Sequence, residues 1–205
     1  MCFRKALLPR NSIVSHGLCR SSKVIALIAF IGVLARASHG FGAETPLSEY
    51  QVKSLFLFNF AKYIEWPSNA FATANAPIQI GVIGGSDEGK FARELTRTVE
   101  AKNVEGRPIL VSQIQTPEDL DKCHILFIRS SEKTRLGEIL RRLNTRPVLT
   151  VSETDRFLEQ GGAINFVKKE GKIRLEISLD AARQAKLQIS SKLLSVADVV
   201  KGKLK

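Results

Sequence analysis

Histidine and cysteine are scarce in this chain, three of each among 205 residues. Cys2, Cys19, His16 and His39 all precede residue 44, so the body of the chain keeps only Cys123 and His124. One cysteine excludes an internal disulfide there. Cys123 opens the apolar run to Ile128 and reads as a buried structural thiol; a reactive thiol would need exposure and a cationic setting. One histidine in the same run reads as a satisfied core residue, not a general base, so no hydrolase triad assembles. Neighbours in a strand point to opposite faces, so Cys123 and His124 cannot chelate one zinc ion. Carboxylate-only magnesium or calcium sites are not excluded on these grounds, but no acidic loop has EF-hand spacing. No catalytic residue, cofactor or metal ligand is therefore expected.

A bilayer-length apolar run is also lacking. Val24 to Ala35 is twelve apolar or small residues without a charge, whereas about 20 are needed to cross a membrane. It follows Arg4, Lys5, Arg10, Arg20 and Lys23, and small-x-small patterns occur at Ala35-Arg36-Ala37 and Ser38-His39-Gly40. This is the anatomy of a signal peptide, predicting cleavage between about Ala37 and Ala43 and export to the periplasm without a transmembrane anchor. The expected organisation is residues 1–43 as leader and 44–205 as one domain. The leader holds six Lys or Arg and no acid, leaving 25 basic and 20 acidic residues, a net charge of +5. An anionic membrane surface or acidic partner suits that balance; nucleic acid is not an expected partner of an exported chain.

Along the remaining chain, Leu47 to Glu65 has near-helical apolar spacing and reads as one long helix, ended by Trp66-Pro67. Residues 68–77 read as loop. Strands are predicted at Ile78–Ile83, Ile109–Ile114, His124–Ile128 (central, being most continuously apolar) and Val148–Val151. Helical stretches separate them: Glu88–Val99, a short helix from Pro117 capped by Thr116, Glu132–Leu143 capped by Ser130 or Ser131, and a turn at Asp155–Glu159. Gly162–Val167 and Lys172–Ile177 read as an antiparallel hairpin, and Asp180–Val199 as one or two closing helices with Leu187, Ile189, Leu193, Leu194 and Val196 as core candidates. The expected fold class is a single α/β domain: a mainly parallel sheet flanked by helices, with a C-terminal hairpin and closing helices.

The segment Gly81 to Gly89 places glycines between strand and helix, where backbone donors can meet an anion, but its spacing is neither a dinucleotide fingerprint nor a P-loop. A tight turn is the plainer reading, with Gly84, Gly85, Ser86 and Ser130 kept as ligand-site candidates because open α/β sheets bind at the carboxyl ends of their strands. Asp87, Glu88 and Asp155 are the carboxylates left for an enzymatic reading. Arg141-Arg142, Lys168-Lys169 and Lys201 to Lys205 read as solvated surface.

Three stretches carry a family resemblance. Tyr50 to Pro67 is an aromatic-rich helix running into Trp-Pro, Gly161 to Phe166 reads GGAINF, and Leu187 to Leu194 reads LQISSKLL. Together and in this order they resemble the YfiR family. The resemblance implies a periplasmic repressor that binds the extracytoplasmic portion of an inner-membrane diguanylate cyclase and is itself sequestered by an outer-membrane lipoprotein, upstream of cyclic di-GMP and biofilm behaviour. The family's namesake is stabilised by disulfides, so redox control of that kind does not transfer to a chain with one mature cysteine.

The function expected is thus a non-enzymatic regulator whose client is a membrane diguanylate cyclase or sensor kinase. A homodimer is compatible with it. The alternative is a periplasmic small-molecule receptor feeding a sensor kinase or transporter. Candidate partner or ligand residues are Asn59, Lys62, Trp66, Gly84, Gly85, Ser86, Ser130, Gly162 and Asn165. Asn59 is a polar exception within an apolar helix and needs a hydrogen-bond partner; Gly161 and Gly162 read as positive-φ positions before the hairpin.

Overall fold

The computed structural model describes residues 46–200; the leader with its cleavage region and the tail from Lys201 lie outside the described residues. The first helix, α1, spans Glu49–Tyr63 and is started by a reciprocal cap. The Gln51 amide donates to Ser48 Oγ (3.3 Å) and the Ser48 amide to Gln51 Oε1 (2.8 Å), satisfying donors that a helix start otherwise leaves open. One stripe of α1 is buried: Lys53, Ser54, Leu57, Phe60 and Ala61. The chain then turns extended, and β1 (Ile64–Glu65) pairs antiparallel with β9 (Gln188–Ile189).

The main sheet has eight strands in the order β10-β8-β7-β6-β5-β2-β4-β3. Their ranges are β2 Ile78–Ile83, β3 Asn103–Val104, β4 Arg107–Ile114, β5 Ile125–Ile128, β6 Leu149–Ser152, β7 Ile164–Lys169, β8 Lys172–Ser178 and β10 Asp198–Val200. Strands β4, β2, β5, β6 and β7 run parallel; β8 returns antiparallel to β7, and β10 is parallel to β8. β5 is central and wholly buried, as its unbroken apolar run predicts. The β7–β8 turn, Glu170-Gly171, has φ of 51° and 73°, two successive left-handed residues as in a tight hairpin whose twist matches its strands. The class is therefore the α/β one expected, mainly parallel with helices on both faces.

From β2 the chain moves to β4 on one side and then to β5 on the other, so the winding reverses between β2 and β5. Crossovers of one hand then put successive helices on opposite faces. Helix α2 (Lys90–Val99) packs Phe91, Leu95 and Val99 against Ile80, Val82, Ile125 and Phe127 in a core shared with α1. Helix α3 (Leu136–Leu143) packs Leu136, Ile139 and Leu143 against Leu126 and Ile128 on the other face, with Cys123 and Phe157. Successive residues of β5 thus serve opposite cores, which is the period-2 geometry of a strand.

The closing segment differs from expectation. Asp180–Val199 holds only two short helices, α4 (Leu179–Gln184) and α5 (Ser191–Leu194), with β9 between them and β10 after. Ile189 belongs to β9, and Leu187 directly precedes it. Leu187 and Leu193 are core, but Val196 is 60% exposed. Two helix starts also move. α2 begins at Lys90, after Gly89 at φ 74°; α3 begins at Leu136, and neither serine caps it because Ser130–Glu132 form a separate 3-10 turn. The segments after Thr116 and Asp155 are likewise 3-10 turns, Pro117–Lys122 and Leu158–Gln160.

Gly161 has the positive φ expected (96°); Gly162 does not. Its requirement is space, because the Phe157 ring lies where a Cβ would stand. Gly162→Ala should destabilise the domain by about 1–3 kcal/mol through overpacking. In Gly137, an exposed α3 position with no atom within 4 Å of a Cβ, Ala should stabilise by about 0.5–1 kcal/mol. Urea unfolding of both variants checks the pair of signs.

Candidate functional site

Three of the parallel strands release the chain, at their carboxyl ends, into charged residues. Arg129 follows β5, Glu153 follows β6, and Asp87 lies in the loop after β2. Arg129 Nη1 meets Asp87 Oδ2 at 3.0 Å and Arg129 Nε meets Glu153 Oε1 at 3.0 Å. Helix α1 closes over them. The Tyr50 hydroxyl donates to Asp87 Oδ2 (2.7 Å) and accepts from Arg129 Nη2 (3.4 Å), and Lys53 Nζ bridges Glu153 Oε2 and Glu49 Oε1, both at 2.5 Å. The Ser130 amide and hydroxyl add bonds to Glu153 Oε1. The guanidinium carbon lies 5.4 Å from the Tyr50 ring centre and 5.3 Å from that of Phe91, within cation–π range.

Apart from Glu49, which is exposed, these charges are largely removed from water, so their pairing decides their ionisation. Burial pushes the Glu153 carboxyl up, but hydrogen bonds and charge from Lys53 and Arg129 outweigh it and hold it below the usual range. Asp87 is lowered in the same way, burial being overcome by Tyr50 and Arg129. Glu49 is lowered chiefly by its bond to Lys53. Arg129 is raised: burial opposes its charge, and Asp87, Tyr50 and Glu153 more than restore it. A general acid needs the opposite, a raised carboxyl. Asp87 is thus held as an anion paired with Arg129, and Glu88 and Asp155 are exposed.

The β2/β5 reversal is where open α/β sheets ordinarily place a ligand. Here the protein's own ion network and the first turns of α1 fill that crevice. Beside it, between the ends of β2 and β4 and the α3 face, is an open cleft of about 860 Å³ with Ile83, Ile114, Leu120 and Ile139 at its apolar base and Arg93, Glu132 and Arg135 among its polar lining.

The nine candidate residues do not converge. Gly84 and Gly85 line this cleft, Ser86 is exposed beside them, and Ser130 reaches Glu153. Lys62 and Trp66 line a different groove of about 890 Å³ near the amino ends of the parallel strands. Asn59 is half-buried on α1 and outside the helix's buried stripe. Gly162 and Asn165 belong to the interior; Asn165 Oδ1 is buried without a hydrogen-bond partner among the described residues. Tyr50, Lys53, Arg129 and Glu153 escaped the sequence reading. The available signals were a charge directly after each of two buried strands, and a lysine inside the apolar seam of α1.

His124 is the satisfied core histidine expected. Its Nδ1 accepts from the Gln79 amide (3.1 Å), which leaves the proton on Nε2, 3.1 Å from the Ala70 carbonyl. Phe71 stacks on the ring at 4.5 Å and Arg107 covers Phe71 at 3.8 Å. Burial lowers its pKa. Cys123 is buried and its thiol is pushed up to about 12 by burial, an unreactive setting. Among the described residues no cluster of His, Cys, Asp and Glu could hold a metal ion, and no helix is long and apolar enough to cross a membrane.

A doubly wound α/β domain with its ligand crevice closed from within is the class these observations define. The profile of the YfiR/HmsC-like family matches residues 50–198, most of the chain, and the protein belongs to that family. The family is one of periplasmic regulators rather than enzymes, and membership supports a general role in regulating cyclic di-GMP signalling. No curated protein matches the chain. Among solved structures, a conserved domain protein from Vibrio cholerae O1 biovar El Tor str. N16961 is similar, with a TM-score of 0.51 and 12% identity over 76% of this chain. The chain spans 61% of that protein's length, and at this identity the likeness concerns the fold alone.

Arg129→Met should cost about 3–5 kcal/mol, since Asp87 loses its cation and Glu153 is left with Lys53 alone. The exposed pair Arg156–Glu159 offers the control: Arg156→Met should leave the unfolding free energy nearly unchanged. Acidification should act in two windows. A lowered histidine pKa gives stability that is complete above its ordinary value of 6.5 and declines below it; lowered carboxyls give stability complete above 3.8 to 4.5 that is lost further down. In His124→Gln the fall in unfolding free energy between about pH 7 and pH 5.5 should flatten while the lower loss persists, as urea titrations at each pH will measure.

Proposed function

We propose that this protein is exported by cleavage between about Ala37 and Ala43 and docks on the extracytoplasmic portion of an inner-membrane signalling protein, a diguanylate cyclase, holding it inactive. The observation that carries the reading is the closed crevice: Tyr50, Lys53, Asp87, Arg129 and Glu153 spend on one another the polar groups with which such a fold would grip a substrate, so the task falls to the surface.

The outer side of α1 suits that task. Leu55 is 38% exposed and Leu47 57%, and Val52, Phe56 and Asn59 are half-buried beside them, with Lys62 exposed. A rigid helix with an apolar stripe and a basic end is a familiar docking element. Asn59, Lys62 and Trp66 are then client contacts, and the outer-membrane lipoprotein of the family resemblance competes for the domain. A sensor kinase is the other client compatible with this surface.

The tagged mature chain should retain a membrane cyclase on co-purification, and deletion of its gene should raise cyclic di-GMP. Leu55→Arg should weaken client binding at least about tenfold, the equivalent of about 1.4 kcal/mol, with the melting temperature unchanged. A clean deletion with unchanged cyclic di-GMP, together with no co-purifying membrane protein, contradicts the reading.

The second reading is a small-molecule receptor. The cleft beside Gly84 and Gly85 favours it, since its volume falls within the about 300–1,000 Å³ typical of ligand pockets. Periplasmic metabolites in excess should then raise the melting temperature by mass action; no shift across a broad library counts against it.

A further inference from the structure

A sheet edge presents backbone N–H and C=O groups that another strand can pair, and proteins ordinarily guard such edges with charge or cover. One edge of the main sheet is guarded: β10 is three residues long, and its Asp198 is held by Lys169. The other is not. β3 covers β4 only at Arg107 and Pro108, and beyond them no strand among the described residues lies outside β4. From Pro108 to Pro117 the sequence carries no charge, and Leu110 within it is 47% exposed.

The register decides which groups face out. The His124 amide donates to the Gln79 carbonyl, so the odd residues of β2 bond toward β5 and the even ones toward β4. With Ile78 beside Ile109, Leu110 and Ser112 bond back to β2, while Val111 and Gln113 turn their N–H and C=O outward. β3 occupies the outer side as far as Pro108, and β4 ends at Ile114. A second copy entering antiparallel uses the whole of that window in one symmetric register, centred on Ser112, with each β3 lying past the end of the other chain's β4. Val111 then exchanges hydrogen bonds with Gln113 of the second copy, Ser112 faces Ser112, and the exposed Leu110 comes to lie opposite Ile114.

We propose that the β4 edge is a self-association surface, through which two copies join their sheets antiparallel over residues 110–114. A second copy suits it because a chain that carries a net charge of +5 after its leader repels itself elsewhere, whereas this edge is free of charge. The seam is short, below the size of a standard stable interface, so the dimer is weak and depends on concentration. It includes no residue of α1 or of the ion network, and it does not rest on the assignment of client docking.

Sedimentation velocity of the purified mature chain, run as a concentration series, should show a reversible dimer. Ser112→Cys should crosslink on mild oxidation, since residues facing one another in a non-hydrogen-bonded pair stand about 4.5 Å apart between Cα atoms, within disulfide reach. Cys123 is buried and does not compete. Gln115→Cys, exposed three residues further on, lies far from its own twin in this register and should not crosslink. Ser112→Lys sets two ammonium groups face to face and should weaken the dimer at least about tenfold, with the melting temperature unchanged. A monomer at every concentration, equal crosslinking at positions 112 and 115, or a dimer indifferent to Ser112→Lys overturns the proposal. So does crosslinking of Ser112→Cys to a client in preference to itself, which would give the edge to a strand of that partner.

Discussion

The structure depends on where one guanidinium sits. Arg129 leaves the central strand β5 at the winding reversal and is held between two carboxylates, the Tyr50 phenol and the Phe91 ring. Its partners come from the ends of β2 and β6 and from α1, so one residue ties three strand ends to the long helix that precedes the α/β alternation. A buried cation is tolerable when its hydrogen-bonding positions are met and its charge is opposed, and here Nη1, Nη2 and Nε all have acceptors. The second cation, Lys53, extends the arrangement to Glu49. Its stem crosses the seam of α1 and its amine lies 6.0 Å from the Phe166 ring, which lets a charged residue occupy a buried helical stripe.

That arrangement has a consequence for function. Doubly wound sheets gather the dipoles and chain turns of their strand ends into a crevice, and most proteins of this architecture use it for a ligand. Here the crevice is satisfied internally, and the same contacts make the first turns of α1 a fixed feature of the surface. A helix so anchored loses little conformational entropy on meeting a partner, which favours recognition by a preformed face. The family's regulatory character and the internal closure of the crevice point the same way.

Much of the fold was legible in the residues. Ile78–Ile83, Ile125–Ile128 and the β7–β8 hairpin announce themselves through continuous or alternating apolar runs, the first and the last marked off by glycine. The site was less legible because its contacts are not local. Tyr50 meets Asp87 across 37 positions and Lys53 meets Glu153 across 100. In the chain each is one charge among many and resembles solvated surface; only the sheet order brings them together. Gly162 was assigned the wrong reason for the same cause, since the Phe157 ring that requires it is a packing neighbour and not a feature of the turn. The closing segment misled because Leu187 to Leu194 fits a helical period loosely, while pairing with β1 and β8, invisible locally, selects strands.

The central claim is that charge pairing between α1 and the strand ends fixes the helix, and a double-mutant cycle between Lys53 and Glu153 measures it most directly. With Lys53→Met, Glu153→Gln and the double variant compared by urea unfolding, the account predicts a coupling energy of at least about 1.5 kcal/mol. A coupling below about 0.5 kcal/mol would mean that the pair behaves as surface charge and that something other than this network holds α1 in place.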